Sequence, residues 1–362
     1  VLLVTLVTFY QHLPTIQRRG GLPFVLCFAA LFYSILLGLV QGSLIAVFKN
    51  SLEWLTPILF SFYFFVNWRN YPSYRQNIQR VFIWGVLLMG VYGIFQYLVA
   101  PEWDRLWLIK TEMLSAGYPA PLAIRVWSTM SGPLVFAVVI MSGLILLFAN
   151  QGLFPLVVSA VGYLAFLLSL VRTAWLGWFF GVLSLFASVK SKFQIRLILI
   201  FMVMALCVVY LTTIEPFSEV IYSRLETFSN IENDGSGQGR LTSYQILFNN
   251  PLITLIGYGI GNVPGDLAWD SGILITVFAL GWIGTILYLA GMCKLMFELL
   301  RFAGNSPDTF VNSASSIVIS FLFMMPLGSV HTGIPGVIFW GFLGLGTAAK
   351  KYYSYQYISR LK

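Results

Sequence analysis

Charge is what this sequence has least of. Only 9% of its 362 residues are Asp, Glu, Lys or Arg, against 58% hydrophobic, and the mean hydropathy is +0.84. A soluble domain carries about a quarter charged residues. A chain this poor in charge cannot cover a water-facing surface, and a lipid-facing one is the natural explanation. Histidine is nearly absent: His12 and His331 are the only two, which leaves little for a His-rich metal site. The three cysteines, Cys27, Cys207 and Cys293, all fall in apolar runs without CxxC or other metal spacing, and read as buried free thiols. No DxD-like acidic pair stands out, so neither a metal nor a cofactor is expected. Tandem repeats and low-complexity tracts are missing too, which argues for one membrane domain over 1–362. The net charge of +8 would suit a nucleic-acid binder, but the basic residues are scattered between apolar spans. The positive-inside bias explains them better, and no nucleic-acid partner is expected.

What is present is a succession of apolar runs. They fall roughly at 1–12, 22–47, 52–68, 76–99, 133–149, 153–171, 174–190, 194–213, 271–300, 312–328 and 331–349, and a span needs about 20 residues. The reading is an all-α polytopic membrane protein with about 11–12 transmembrane helices. The 22–47 run is long enough to be tilted, or broken near Gln41-Gly42. The chain opens at Val1 inside an apolar run with neither a basic n-region nor a cleavage site. That is not a signal peptide, and an upstream span is expected.

Placing the tail Lys350-Lys351…Arg360…Lys362 in the cytoplasm and alternating backwards puts 14 Lys/Arg inside and 7 outside. This orientation makes two sizeable segments extracytoplasmic, 100–132 and 214–270. The larger one carries most of the acids, Arg224, Arg240, the run Asp234-Gly-Ser-Gly-Gln-Gly239 and the turn Gly257-Tyr-Gly-Ile-Gly-Asn262.

Five positions on that outer side carry candidate chemistry. Arg172 lies alone between two apolar runs, where an arginine costs about 2.5–3.5 kcal/mol at mid-helix. It is either a snorkelling or capping arginine, or an anion-binding one whose planar fork suits phosphate. Arg240 follows three glycines and opens a short amphipathic stretch, where a cation opposes the helix dipole. It is an ordinary loop charge or a partner for an anion. Arg125 precedes Trp127 and Pro133 and is an interfacial anchor or a third anion contact. Asp270, at the mouth of the 271–300 run, is an N-cap or a general base. His331 also falls outside, as a structural imidazole or a base. Three arginines and a carboxylate on one face suggest binding of a lipid diphosphate, with arginine stabilising the leaving group.

At these residues the sequence resembles the O-antigen ligase and Wzy-type polymerase family of bacterial surface-polysaccharide enzymes. The likeness is carried by Arg172-Thr-Ala-Trp-Leu-Gly on a span, then Gly239-Arg240…Tyr244…Pro251…Gly257-Tyr258-Gly-Ile-Gly261. It is completed by Asp270-Ser-Gly-Ile-Leu…Leu280-Gly281-Trp-Ile-Gly284, and Arg125-Val-Trp-Ser-Thr-Met-Ser-Gly-Pro also looks like a segment of ligase-like members. The core covers about 160–290. The resemblance implies a GT-C-like, metal-independent glycosyltransferase on the outer face of the bacterial inner membrane. Its substrate would be an undecaprenyl-diphosphate-linked oligosaccharide and its acceptor a glycan, with chain-length regulator and flippase proteins as possible partners. The family's diphosphate-binding arginines would map onto Arg172 and Arg240. Arg125, Arg224, Tyr244, Tyr258 and His331 are further candidates. The ligases carry a histidine before the span that follows the large loop. Here Trp269-Asp270 occupies that place, which favours a polymerase, or a ligase-like enzyme for another acceptor. A transporter or flippase of an anionic lipid-linked substrate is the rival class, for which broken helices and an internal inverted repeat are expected.

Overall fold

The computed structural model describes residues 20–148, 152–188, 235–249, 251–264, 271–304, 306 and 308–360, with the single positions 7, 194, 195, 198, 202 and 209. Among them the only β-type pairing is an isolated antiparallel bridge between Gly117 and Ile124. The rest is helix and turn. Three helices, Leu22–Gln41, Trp68–Val99 and Gly272–Ala303, are long and apolar enough to cross a membrane. Together with the shorter apolar helices they point to a membrane protein, in which only helices satisfy every backbone group within one segment. Two compact units form, one from 1–75 with 235–362 and one from 76–234.

In the first unit, α1 (Leu22–Gln41) and α2 (Leu44–Val66) divide the long first run at Gly42, the break expected near Gln41-Gly42. The chain then enters α3 (Tyr71–Val99), whose first residues close this unit. After the second unit it returns through α8 (Gly235–Asn249), α9 (Pro251–Ile256), α10 (Gly272–Ala303), α11 (Thr309–Met324) and α12 (Gly333–Arg360). The main packing is α2 on α12 and α1 on α10. Both interfaces use small residues for close approach, as lipid-embedded helices do. Gly344 of α12 sits on the backbone of Ser61, and Gly291 of α10 on Pro23 and Cys27. Cys27 is a buried free thiol, as expected, but Cys293 is exposed. Cys207 lies outside the described residues.

The run expected as one span over 271–300 is interrupted. At Gly281 the backbone leaves the helix, with φ 62° and ψ 174°, so α10 is two helices in series.

In the second unit, α3 continues and is followed by α4 (Glu102–Thr111), α5 (Pro133–Phe148), α6 (Leu153–Leu168) and α7 (Arg172–Ser188). α5 is apolar all round and is the centre of the unit. Of its residues only Leu134, Val135 and Val139 escape burial. The segment 100–132, expected as an outer loop, is a small folded layer with its own core. Ala100, Leu108, Ala116, Ile124 and Trp127 form it, and Trp107 and Met113 pack against it. The described residues of 214–270 likewise lie in structured elements: Gly235–Asn249 and Pro251–Ile256 form α8 and α9, and 257–264 packs among helices.

Candidate functional site

In the second unit, two of the three candidate arginines meet at one turn. Arg125 fixes the junction between α6 and α7. Its Nε donates to the Ser169 carbonyl at 3.3 Å, Nη2 to Leu170 at 3.0 Å and Nη1 to Ser115 at 2.6 Å. The C-terminal carbonyls of a helix have no intrahelical partners and carry its negative pole, which is where a guanidinium is stabilised. Leu170, with φ 54°, turns the chain sharply. Arg172 then opens α7 as its first residue and is half-buried. Arg125 therefore has a structural task, and Arg172 stands where the first amides of α7 point outward. The segment after Arg125 is pinned as well. Val126 N–H donates to the Leu168 carbonyl, and the buried Gln96 Oε1 accepts from Trp127 and Ser128 N–H at 3.0 and 2.8 Å.

In the first unit, Arg240 lies in the first turns of α8, and its side chain is outside the described residues. α8 is anchored by its apolar side. Leu247, with Tyr244 and Ile246, packs on Leu274, Val277 and Phe278 of α10, and Tyr258 and Val263 join them. Arg240, Tyr244 and Tyr258 are thus carried by elements gathered around the first half of α10. That helix is N-capped by Ser271, whose Oγ accepts from Leu274 N–H. The cap considered for Asp270 belongs to its neighbour. Asp270 and Arg224 lie outside the described residues.

The turn Gly257–Asn262 was expected in a water-facing loop; instead it is threaded between α1 and the break in α10. In an unbroken helix the carbonyls of Phe278 and Ala279 would accept from residues 282 and 283. Here they accept from Tyr258 N–H at 2.8 Å and Gly259 N–H at 3.1 Å. Ser34 Oγ also donates to Ala279 O at 2.7 Å, and Tyr33 Oη to Ile256 O at 2.8 Å. Ile260 N–H reaches Ser34, and Asn262 Nδ2 donates to Gly38 O at 2.9 Å. Irregular backbone among apolar helices needs this satisfaction. Gly257 and Gly259 have φ of 89° and 80°, and their Cα atoms face the Gly281 and Gly38 backbones with no room for a side chain.

His331 is buried, only 1% exposed. Thr276 Oγ1 donates to the Gly272 carbonyl at 2.6 Å, so the Nε2 of His331, 3.0 Å from the same oxygen, is the donor of that pair. Among the described residues its Nδ1 has no hydrogen-bond partner; it stands beside Gly272, while Trp54 and Tyr288 meet the ring edge-on. The imidazole braces the first turn of α10.

The best-connected carboxylate among the described residues is one that sequence reasoning did not single out. Asp308, 5% exposed, accepts at Oδ2 from Tyr71 at 2.7 Å, Tyr353 at 2.9 Å and Arg75 at 3.1 Å, and its Oδ1 caps α11 at Phe310 N–H. The signal available was the Asp-Thr-Phe start of an apolar run, which marks a cap. Its three other partners are more than forty positions away in sequence. Beside this node Lys351 Nζ lies 3.2 Å from the centre of the Phe65 ring. Among the described residues no group of three or more His, Cys, Asp or Glu side chains could hold a metal. No protein-family model matches the chain, and no curated protein sequence does so either.

Proposed function

We propose that this chain is a membrane glycosyltransferase of GT-C type. It would polymerise or transfer undecaprenyl-diphosphate-linked oligosaccharide on the outer face of the bacterial inner membrane, in surface or exopolysaccharide synthesis, with polymerisation favoured over ligase-type transfer to a lipid or protein acceptor. The observation that carries this reading is the α6–α7 turn. Arg125 holds its carbonyls, and Arg172 occupies the first position of α7. A cation at the positive end of a helix dipole is locally unfavourable, and a bound anion offsets that cost. The anion of this chemistry is the leaving diphosphate. The acceptor hydroxyl oxygen bonds to the anomeric carbon, the carbon–oxygen bond to phosphate breaks, and its electron pair leaves on the lipid diphosphate. Arg172 neutralises the charge that develops there, and Asp270 takes the hydroxyl proton. Arg240 is the second diphosphate ligand of this reading.

A second reading, transport of an anionic lipid-linked substrate, is favoured by the break at Gly281 and the irregular segment beside it, since discontinuous helices mark transporter sites. One experiment separates the two. Purified protein in proteoliposomes is given a lipid-diphosphate oligosaccharide, with Arg172→Ala and Arg240→Ala in parallel. Release of lipid diphosphate with chain growth, lost in both variants, is the expected result. Single transfer to a distinct acceptor indicates the ligase form. Substrate movement across the bilayer with no bond cleavage supports transport and overturns the enzyme.

A further inference from the structure

The lipid-facing side of the second unit is readable from α3. Trp84, Leu88, Val91, Phe95, Leu98 and Val99 are all exposed. At about 100° per residue they fall within roughly 100° of arc, a continuous apolar stripe on a helix long enough to span a membrane. At Ala100, with φ 47°, and Pro101 the chain turns, and α4 begins.

α4 has two unlike sides. Asp104 and Leu108 are buried, and Trp107 packs on Trp127 with ring centres 5.3 Å apart. The opposite side carries Trp103, Leu106 and Ile109, exposed by 61, 50 and 57%. Their i, i+3, i+6 spacing puts them on one stripe. Glu102 and Lys110 lie at the two ends of that side, and Arg105 flanks it. The helix is held in this attitude by the span below it: Trp103 Nε1 donates to Tyr92 Oη at 2.7 Å, and Tyr92 Oη donates to Asp104 Oδ2 at 2.9 Å. The exposed stripe of α4 therefore takes over where the lipid-facing stripe of α3 ends. Tryptophan at the junction is the residue that favours the membrane–water boundary.

We propose that α4 lies in the bilayer interface at the C-terminal end of α3, with Trp103, Leu106 and Ile109 inserted among the headgroups and upper acyl chains. The occupant of this face is the membrane itself. Lys110 and Glu102 keep their charged ends in the headgroup layer, lysine by extending its stem along the apolar face. The segment 100–132 is thereby a half-immersed layer rather than an aqueous loop, and a lipid-linked molecule diffusing in that leaflet meets it directly.

The test uses the full chain with Cys27, Cys207 and Cys293 changed to Ser, in nanodiscs of phosphatidylethanolamine and phosphatidylglycerol. Single cysteines at Trp103→Cys, Leu106→Cys, Ile109→Cys and Arg105→Cys are spin-labelled. Accessibility to oxygen is compared with accessibility to a nickel chelate. The first three labels are expected to favour oxygen, at a depth of about 5–10 Å below the headgroup boundary, and the label at 105 to favour nickel. Nickel accessibility at 106 and 109 equal to that at 105 overturns the proposal. So does shielding from both reagents, which means that a protein partner or a second copy covers the face. Should the labelled variants fail to fold, Trp103→Phe in the otherwise native chain serves instead. Quenching of tryptophan emission by brominated lipid is then expected to fall, and unchanged quenching counts against insertion.

Discussion

Replacing Gly259 by alanine tests whether the turn 257–262 is built into the helices of the first unit. Two separate costs apply. The residue sits at φ 80°, where a side chain on an L-residue costs about 1–2 kcal/mol. The new Cβ also runs into the Gly38 amide nitrogen and would lie 2.7 Å from Gly38 Cα and 3.0 Å from Leu37 C. These are backbone atoms of α1, which cannot rotate aside as a side-chain tip would, so an overpacking cost of about 1–3 kcal/mol is added. The sum is about 2–5 kcal/mol. Two controls separate the parts. Gly333 has φ 59° and nothing within 4 Å, so Gly333→Ala meets the dihedral cost alone, about 1–2 kcal/mol. Gly85 lies inside α3 with open space around it, and Gly85→Ala is expected to be neutral or to stabilise by up to about 1 kcal/mol. Reversible unfolding of the purified protein in mixed SDS and maltoside micelles reads all three. The reasoning fails if Gly259→Ala lies within about 0.5 kcal/mol of Gly333→Ala, because the turn then does not press on α1.

Arg125→Ala should destabilise by about 2–4 kcal/mol, since three charge-assisted bonds to main-chain carbonyls are lost at a partly exposed site. Arg125→Lys should recover less than half of that, because an ammonium cannot fork between Ser115, Ser169 and Leu170; the same unfolding assay checks both. Arg172→Ala should abolish product in the proteoliposome assay, and unchanged product would refute its role at the leaving group. Asp308→Asn should cost about 2–3 kcal/mol, toward the low end for a buried ion pair because the Arg75 side chain is 39% exposed; an unchanged midpoint would show that the node adds nothing to stability. Burial pushes the Lys351 ammonium from 10.5 down to about 8, against the pull of Glu298. Between those pH values the unfolded chain holds a proton that the folded chain has released, so folded stability rises with pH across the window and the full penalty persists below it. Lys351→Met should therefore be more stable than the parent at pH 7, with the gain shrinking from pH 8 to 10.5; a gain independent of pH would refute the assignment.

The helices were legible because apolar length is a strong signal. The ends of α5, α6 and α7 fall within a few residues of the runs that announced them. The break at Gly42 was legible too, since Gln41-Gly42-Ser43 interrupts an apolar run with polar and flexible residues. The break at Gly281 was not. Leu280 and Trp282 are apolar on either side, and a lone glycine inside a membrane helix is ordinary. What accompanies the break is a competing pair of donors, the Tyr258 and Gly259 amides, which reach the Phe278 and Ala279 carbonyls from another part of the chain. The Asp308 node was hidden for the same reason. Its value lies in Tyr71, Arg75 and Tyr353, which only the packing of three helices brings to one carboxylate. Arg125 read as a candidate anion site because a side chain's charge is visible in sequence, whereas the main-chain carbonyls at 115, 169 and 170 that receive it are not.

The two irregular segments, one in each unit, share a logic that bears on function. Residues 125–128 lie against Gln96 and the end of α6, and residues 257–262 against Ser34, Gly38 and the broken α10. Each is matched by polar groups that a purely structural apolar bundle would not carry: a buried glutamine in one case, a serine and a helix break in the other. An unsatisfied amide in an apolar setting costs several kcal/mol, so these partners must be present together for either segment to exist. Continuing the helices would have satisfied the same backbone groups with no special residues at all. The irregular paths instead deliver particular side chains to particular ends of the helices: Arg125 to the turn before Arg172, and Tyr258 to the packing of α8, which carries Arg240, against α10. In the proposed reading, this constraint, accepted twice, serves to position Arg172 and Arg240 for the leaving diphosphate.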